Sequence, residues 1–254
     1  MYDLDTRRRA LALIDQGFSQ NSVSKQTGIS RAAIRSWQTR IEPLRCGPSA
    51  TCPMCSDPPG DLEAPSAYVY LLGLYLGDGC INRTKQGVYS LRIACADAWP
   101  GLIDACSEAV QAVRPENKVL RVQRQGCQYV TCHSKHWPCF FPQHGPGKKH
   151  GREIALEPWQ RGLVDAHPWE FIRGLIHSDG CRVINWTTRV VAGEKRRYEY
   201  PRYFFTNLSS DIIGLFTGAL DLVGAEWKQA NSRNISVARR ASVALMDAHV
   251  GPKY

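Results

Sequence analysis

The chain has 254 residues, 43% apolar and 22% charged, which excludes a disordered polymer and leaves room for one large core or two to three small ones. Its 32 Lys and Arg against 23 Asp and Glu give a net charge of +9 and a pI near 9.1, a balance that favours a polyanionic partner. The longest apolar run, Ala67–Gly77, is too short for the ~20 residues of a membrane span, and MYDLDTRRRALALID lacks a secretory pattern. A cytoplasmic protein is therefore expected, its ten cysteines serving as free thiols or metal ligands rather than a disulfide framework.

Residues 1–42 predict three short helices. Leu11, Leu13 and Ile14 mark the first, which stops at Gly17; Ser19 caps a second that ends at Thr27–Gly28, and Ser30 caps a third, RAAIRSWQTR. Helix, helix, glycine turn, helix is the helix-turn-helix plan. The third helix carries Arg31 and Arg35 on one face and Ile34 and Trp37 on the other. In the line GFSQNSVSKQTGISRAAIRSW this segment resembles the helix-turn-helix domains of site-specific recombinases and transposases. That resemblance implies that Ser30, Arg31, Ala33 and Arg35 approach the major groove of DNA. A three-helix bundle used for protein contacts is the alternative.

Residues 43–66, rich in Pro, Gly and Ser, read as a linker. Cys52-Pro-Met-Cys55 has the spacing of a zinc knuckle, with Cys46 near enough for a third thiolate, but no fourth ligand is evident. A Zn²⁺ site at Cys46, Cys52 and Cys55 and inert linker cysteines are both open readings.

From Ala67 onward the chain repeats itself. LLGLYLGDG at Leu71–Gly79 aligns with IRGLIHSDG at Ile172–Gly180, with glycine under glycine at 73 and 174 and the Asp-Gly endings in step. Asp78 and Asp179 are 179 − 78 = 101 residues apart, a domain-sized period. A short polar stretch follows each motif, then strand-like alternation, YSLRIACAD and RYFFTNLS. Amphipathic helices come next, Ala98–Val113 and Ser210–Val223, and then further strands ending in CHSK and VARR. Even the tails correspond, His144 lying as far beyond Lys135 as His249 lies beyond Arg240. The expected body is an α+β fold of two αββαββα copies, residues 67–150 and 151–254, related by a pseudo-two-fold axis.

These paired motifs resemble the LAGLIDADG homing endonuclease family over roughly Ala67 to the last residue, although His177-Ser178 and Leu76-Gly77 depart from its commoner Asp-Ala. Helices with Gly73 and Gly77, or Gly174 and Ser178, present flat faces, and crossing them brings their terminal acids together. Two adjacent carboxylates repel unless cations neutralise them, which suits Mg²⁺ or Mn²⁺. The resemblance implies that Asp78 and Asp179 hold divalent metal beneath the scissile phosphates of double-stranded DNA, one strand per acid, in a monomeric, internally pseudo-symmetric nuclease. Backbone carbonyls at Gly79 and Gly180 are expected to complete the metal shell. The repeat alignment nominates Lys135 and Arg240, with Lys148 as an alternative, to assist catalysis at the phosphate.

Two saddle-forming sheets are expected to carry the DNA contacts, with Arg83, Lys85, Arg92, Arg121, Arg124 and Gln125 in the first copy. Arg189, Lys195, Arg196, Arg197, Lys228 and Arg233 are their counterparts in the second. CHSKHWPC could be read as a metal cluster, but copy two lacks such ligands, so structural or DNA-contact roles are expected for it. The runner-up function is a transcriptional regulator that joins a helix-turn-helix to a non-cleaving LAGLIDADG scaffold, as certain sporulation regulators do. An RNA-splicing maturase of the same fold is a third reading. Two retained, mutually repelling acids favour the nuclease.

Overall fold

The computed structural model describes residues 2–39, 41, 61–251 and 253–254. The chain divides into two compact units, residues 1–58 and 59–254. Cys46, Cys52 and Cys55 lie outside the described residues.

The first unit contains three helices, α1 (Leu4–Asp15), α2 (Gln20–Thr27) and α3 (Arg31–Thr39). Local chemistry sets their ends. Asp3, Ser19 and Ser30 accept hydrogen bonds from the amides of Thr6, Ser22 and Ala33, and Gly28 takes a left-handed conformation (φ 70°) between α2 and α3. Ala10, Val23, Ile29, Ile34 and Trp37 form the small core. Arg7 is buried beside it, donating to the carbonyls of Tyr2 and Ile41 with its guanidinium over the Trp37 ring. Arg31 and Arg35 stay exposed on α3, whereas Ala33 packs against the core.

The second unit is duplicated. Its first half runs α4 (Pro65–Asp78), β1 (Gly79–Arg83), β2 (Tyr89–Ala96), α5 (Pro100–Val113), β3 (Val119–Arg124), β4 (Cys127–Ser134) and α6 (Trp137–Phe140). The second half runs α7 (Pro158–Ala166), α8 (Pro168–Asp179), β5 (Gly180–Val191), β6 (Glu194–Thr206), α9 (Ser210–Leu222), β7 (Lys228–Asn231), β8 (Asn234–Val237) and α10 (Arg240–His249). Each half forms a four-stranded antiparallel sheet, β1-β2-β4-β3 and β5-β6-β8-β7, so the strand orders correspond one for one. The fold is the duplicated α+β one expected from the repeated motif. No helix among the described residues is long and apolar enough to cross a membrane.

Helices α4 and α8 form the centre. Tyr68–Leu76 are all buried, which explains why α4 is apolar on every side: it is covered by α8, α5 and α7 at once. On each sheet, alternate residues face the helices and the rest face outward. Leu91, Ile93 and Cys95 point inward from β2, and Tyr203 and Phe205 from β6.

The two halves differ in two respects. Among the described residues of this unit, helix α7 has no counterpart before α4. The second copy also has a far longer hairpin than the short polar stretch expected after its motif, with twelve ladder pairs from Gly180–Phe205 to Val191–Glu194 against five from Gly79–Ile93 to Arg83–Tyr89. Strand β8 supports only its base, Tyr203–Thr206.

Candidate active site

The site is made by the closeness of α4 and α8. A Cβ on Gly73 would lie 2.7 Å from the Phe171 carbonyl oxygen and 2.9 Å from the Gly174 Cα; one on Gly174 would lie 2.3 Å from the Tyr70 carbonyl oxygen. One turn further along, a Cβ on Gly77 would meet the Ser178 Oγ at 2.1 Å and Asp179 Oδ2 at 3.1 Å. Ser178 fits because its hydroxyl folds back onto its own helix, donating to the carbonyls of Gly174 and Leu175. The helices therefore end side by side, and each ends in an acid. On the flank, Tyr70 and His177 share a hydrogen bond of 2.9 Å across the same seam; burial pushes His177 down to about 4, so it packs as a neutral ring.

Asp78 and Asp179 occupy an unfavourable place for negative charge. Burial raises both above the ordinary carboxylate range, and the charge of Asp78 helps push Asp179 up to about 6. Helix C-termini, with their partial negative charge, add to the cost. Asn207 offsets part of it at Asp179 by donating from Nδ2 to Oδ2 at 2.6 Å.

Two lysines answer the acids. Lys149 Nζ donates to the carbonyls of Tyr75, Gly77 and Gly79, the last two at 2.8 Å, and so closes the end of α4. Lys253 Nζ donates to the Ser178 carbonyl at 3.0 Å and does the same for α8. Both ammonium groups lower the acid pKa values, and burial pushes Lys149 itself down to about 8. Arg152 secures the loop that delivers Lys149 by donating to the carbonyls of Gln143, Pro146 and Gly147. Lys253 is held from beyond: the Tyr254 carbonyl accepts from the amide of Leu102 at the start of α5.

Two of the three nominated basic residues, Lys135 and Arg240, lie on other elements. Lys135 follows Ser134, which pairs with Tyr89 at the far end of the sheet from Gly79, and Arg240 opens α10. Lys148 lines a cavity of about 990 Å³ that also reaches Tyr75, Asn82, Tyr89, His144 and Asp179, but its neighbour Lys149 makes the contacts to the helix end. The doubled lysine at 148–149 was the available signal, and a one-residue shift in the tail alignment would have set Lys149 against Lys253. The carbonyl of Gly79, expected to complete a metal shell, accepts from Lys149. The CHSKHWPC segment packs: Trp137 and Cys132 are buried, Trp137 donates to the Cys132 carbonyl, and among the described residues no three His, Cys, Asp or Glu gather as a metal group.

Strand register sorts the basic side chains by face. Arg92 and Arg124 share the outward face of the first sheet with Cys80, and Arg189, Arg196, Arg202 and Lys228 share that of the second with Cys181. Arg121 turns to the helix side, where it meets Asp104 at 2.7 Å and Ser107 at 3.0 Å. Lys195 and Arg197 also lie on the helix-side face of their hairpin. Arg83 lines the cavity, while Lys85, Gln125 and Arg233 lie at hairpin turns. Arg202 escaped the sequence reading; it is held between the Tyr200 and Phe204 rings.

No family model matches the sequence, and no curated protein does. Among solved structures, the chain is similar to mesophilic variants of the homing endonuclease I-DmoI (TM-score 0.47, 13% identity, 74% of this chain and 96% of that one). It is also similar to the LAGLIDADG meganuclease I-AabMI bound to uncleaved DNA (0.45, 12%, 72% and 83%). Full-length DUF199/WhiA from Thermatoga maritima is another (0.44, 11%, 75% and 56%). The likeness is one of fold.

Proposed function

We propose that this chain is a site-specific, divalent-metal-dependent endonuclease of duplex DNA that hydrolyses one phosphodiester in each strand. The observation that carries the reading is the pairing of Asp78 and Asp179 at the ends of two glycine-faced helices, where each is held above its ordinary pKa. Structural acids are seldom left in such a position; carboxylates gathered for cation binding are.

The donor set fits Mg²⁺ or Mn²⁺. It offers two carboxylates and no third His, Cys, Asp or Glu among the described residues, the low count that suits a hard ion keeping several waters and taking the rest of its shell from a phosphate. When bound, such a metal supplies an activated water and charge stabilisation at the scissile phosphate. Asp78 and Asp179 would hold it. Lys149 and Lys253 keep the helix ends closed and lend positive charge beside the reacting phosphates. Arg92, Arg124, Arg189, Arg196, Arg202 and Lys228 on the outward sheet faces hold the duplex, and Arg31 and Arg35 of α3 add groove contacts through a second linked module.

One observation favours the regulator reading: two lysines already balance two acids, so this scaffold could grip DNA without metal. Selection of bound sequences from random duplexes, followed by incubation of the winner with Mg²⁺, separates the two. A staggered cut that vanishes in Asp78→Asn and Asp179→Asn supports the nuclease. Tight binding with intact strands in Mg²⁺ and in Mn²⁺ supports the regulator.

A further inference from the structure

The β5–β6 hairpin outgrows its sheet. From Val183–Arg202 to Val191–Glu194 the two strands pair with each other while β8 stays at the base, so the outer part is a free two-stranded ribbon. Its tip is a two-residue turn, Ala192-Gly193, with both residues at positive φ (54° and 83°), the geometry that matches the right-handed twist of paired strands. The face continuous with the outward surface of the second sheet carries Asn185, Thr187, Arg189, Arg196, Tyr198 and Tyr200, all able to hydrogen-bond. The same face also holds Val183, Val191, Arg202 and Glu194, so its basic residues Arg189, Arg196 and Arg202 outnumber its acid by three to one. A two-stranded ribbon is also the β element that a major groove admits.

We propose that this ribbon lies in the major groove beyond the reach of the first repeat, so that the recognised DNA site is asymmetric, longer on the side bound by the second repeat. The inference rests on the proposed DNA-binding function and adds the shape of its substrate. Twelve ladder pairs against five, less what the Thr84–Val88 turn adds to the shorter hairpin, leave a difference of roughly five to seven residues. At ~3.4 Å per residue and ~3.4 Å per base pair, that is about five to seven base pairs. The opposite face, with Ile184, Trp186 and Val190 exposed and Arg197 stacked over Trp186, points away from the base edges.

The test uses the full chain on a duplex selected from random sequence, footprinted with hydroxyl radicals. A second protein has Thr188–Arg197 replaced by Asn-Gly, which keeps the Thr187–Tyr198 pair and removes the ribbon's outer end. Because the N-terminal helices protect DNA equally in both proteins, the expected result is a wild-type footprint that exceeds the shortened protein's by about four base pairs on one flank, the rest being unchanged. Arg189→Ala with Arg196→Ala should leave the footprint's length but relax base preference on that flank. A footprint unaltered by shortening overturns the inference while leaving the nuclease reading intact. Dimerisation that disappears with Trp186→Ser also overturns it, by assigning the ribbon to a second copy. Failure to select any duplex defeats the underlying function and the inference together.

Discussion

Gly73 and Gly174 meet backbone to backbone: a methyl group on either would lie 2.9 Å from the other's Cα. Neither main chain can retreat without separating α4 from α8. Gly73→Ala or Gly174→Ala should therefore cost about 3 kcal/mol or more in urea unfolding. Gly214→Ala and Gly218→Ala are the controls. Both lie on the exposed side of α9 with nothing within 4 Å of an added Cβ, and each should stabilise by about 0.5–1 kcal/mol.

Asp179 releases its proton near pH 6 when folded and near 3.8 when unfolded. The folded state thus holds more protons across that window, and rising pH destabilises the protein through it. Asp179→Asn mimics the protonated acid. It should match the wild type near pH 3.5 and exceed it by about 1–2 kcal/mol at pH 7.5, allowing for partial solvent screening. Thermal melts at a series of pH values check this; a mutant that is less stable at pH 7.5 would contradict the electrostatic account.

Lys149→Met removes the ammonium donor from three carbonyls at the end of α4, of which that of Tyr75 keeps the Gly79 amide. The expected loss is about 1–3 kcal/mol, with Asp179 moving further above its ordinary value. Lys253→Met, which removes one such hydrogen bond, should cost less. Carboxylate titration by infrared or NMR, beside urea melts, reads both effects.

Ala192 occupies the left-handed region at φ 54°. Ala is strained there, whereas Gly has no Cβ to clash and the short polar side chain of Asn hydrogen-bonds locally in that region. Ala192→Gly or Ala192→Asn should strengthen the hairpin by about 0.5–1 kcal/mol, seen as slower amide exchange in Val190–Arg196.

Much of this was legible because it is written in repeats. The 101-residue offset set Gly73 against Gly174 and Asp78 against Asp179, since residues that build one interface must recur together. The ribbon was not legible. TTRVVAGEKRR shows no apolar alternation because both its faces are exposed, and burial is what imprints a period of two. Lys149 was missed in favour of Lys148 because a loop has no periodicity from which to read direction; Arg152 and its three carbonyls decide which lysine turns inward. Arg121 was assigned to DNA on charge alone, while its place in the register turns it to Asp104.

The most direct measurement is strand-resolved cleavage of the selected duplex, with each 5′ end labelled in turn, by the wild type and by the Asp78→Asn, Asp179→Asn and doubly substituted proteins. One Mg²⁺-dependent break per strand is expected in the wild type and none when both acids are replaced. Unbroken strands under saturating protein, or breaks that persist without either carboxylate, would contradict it.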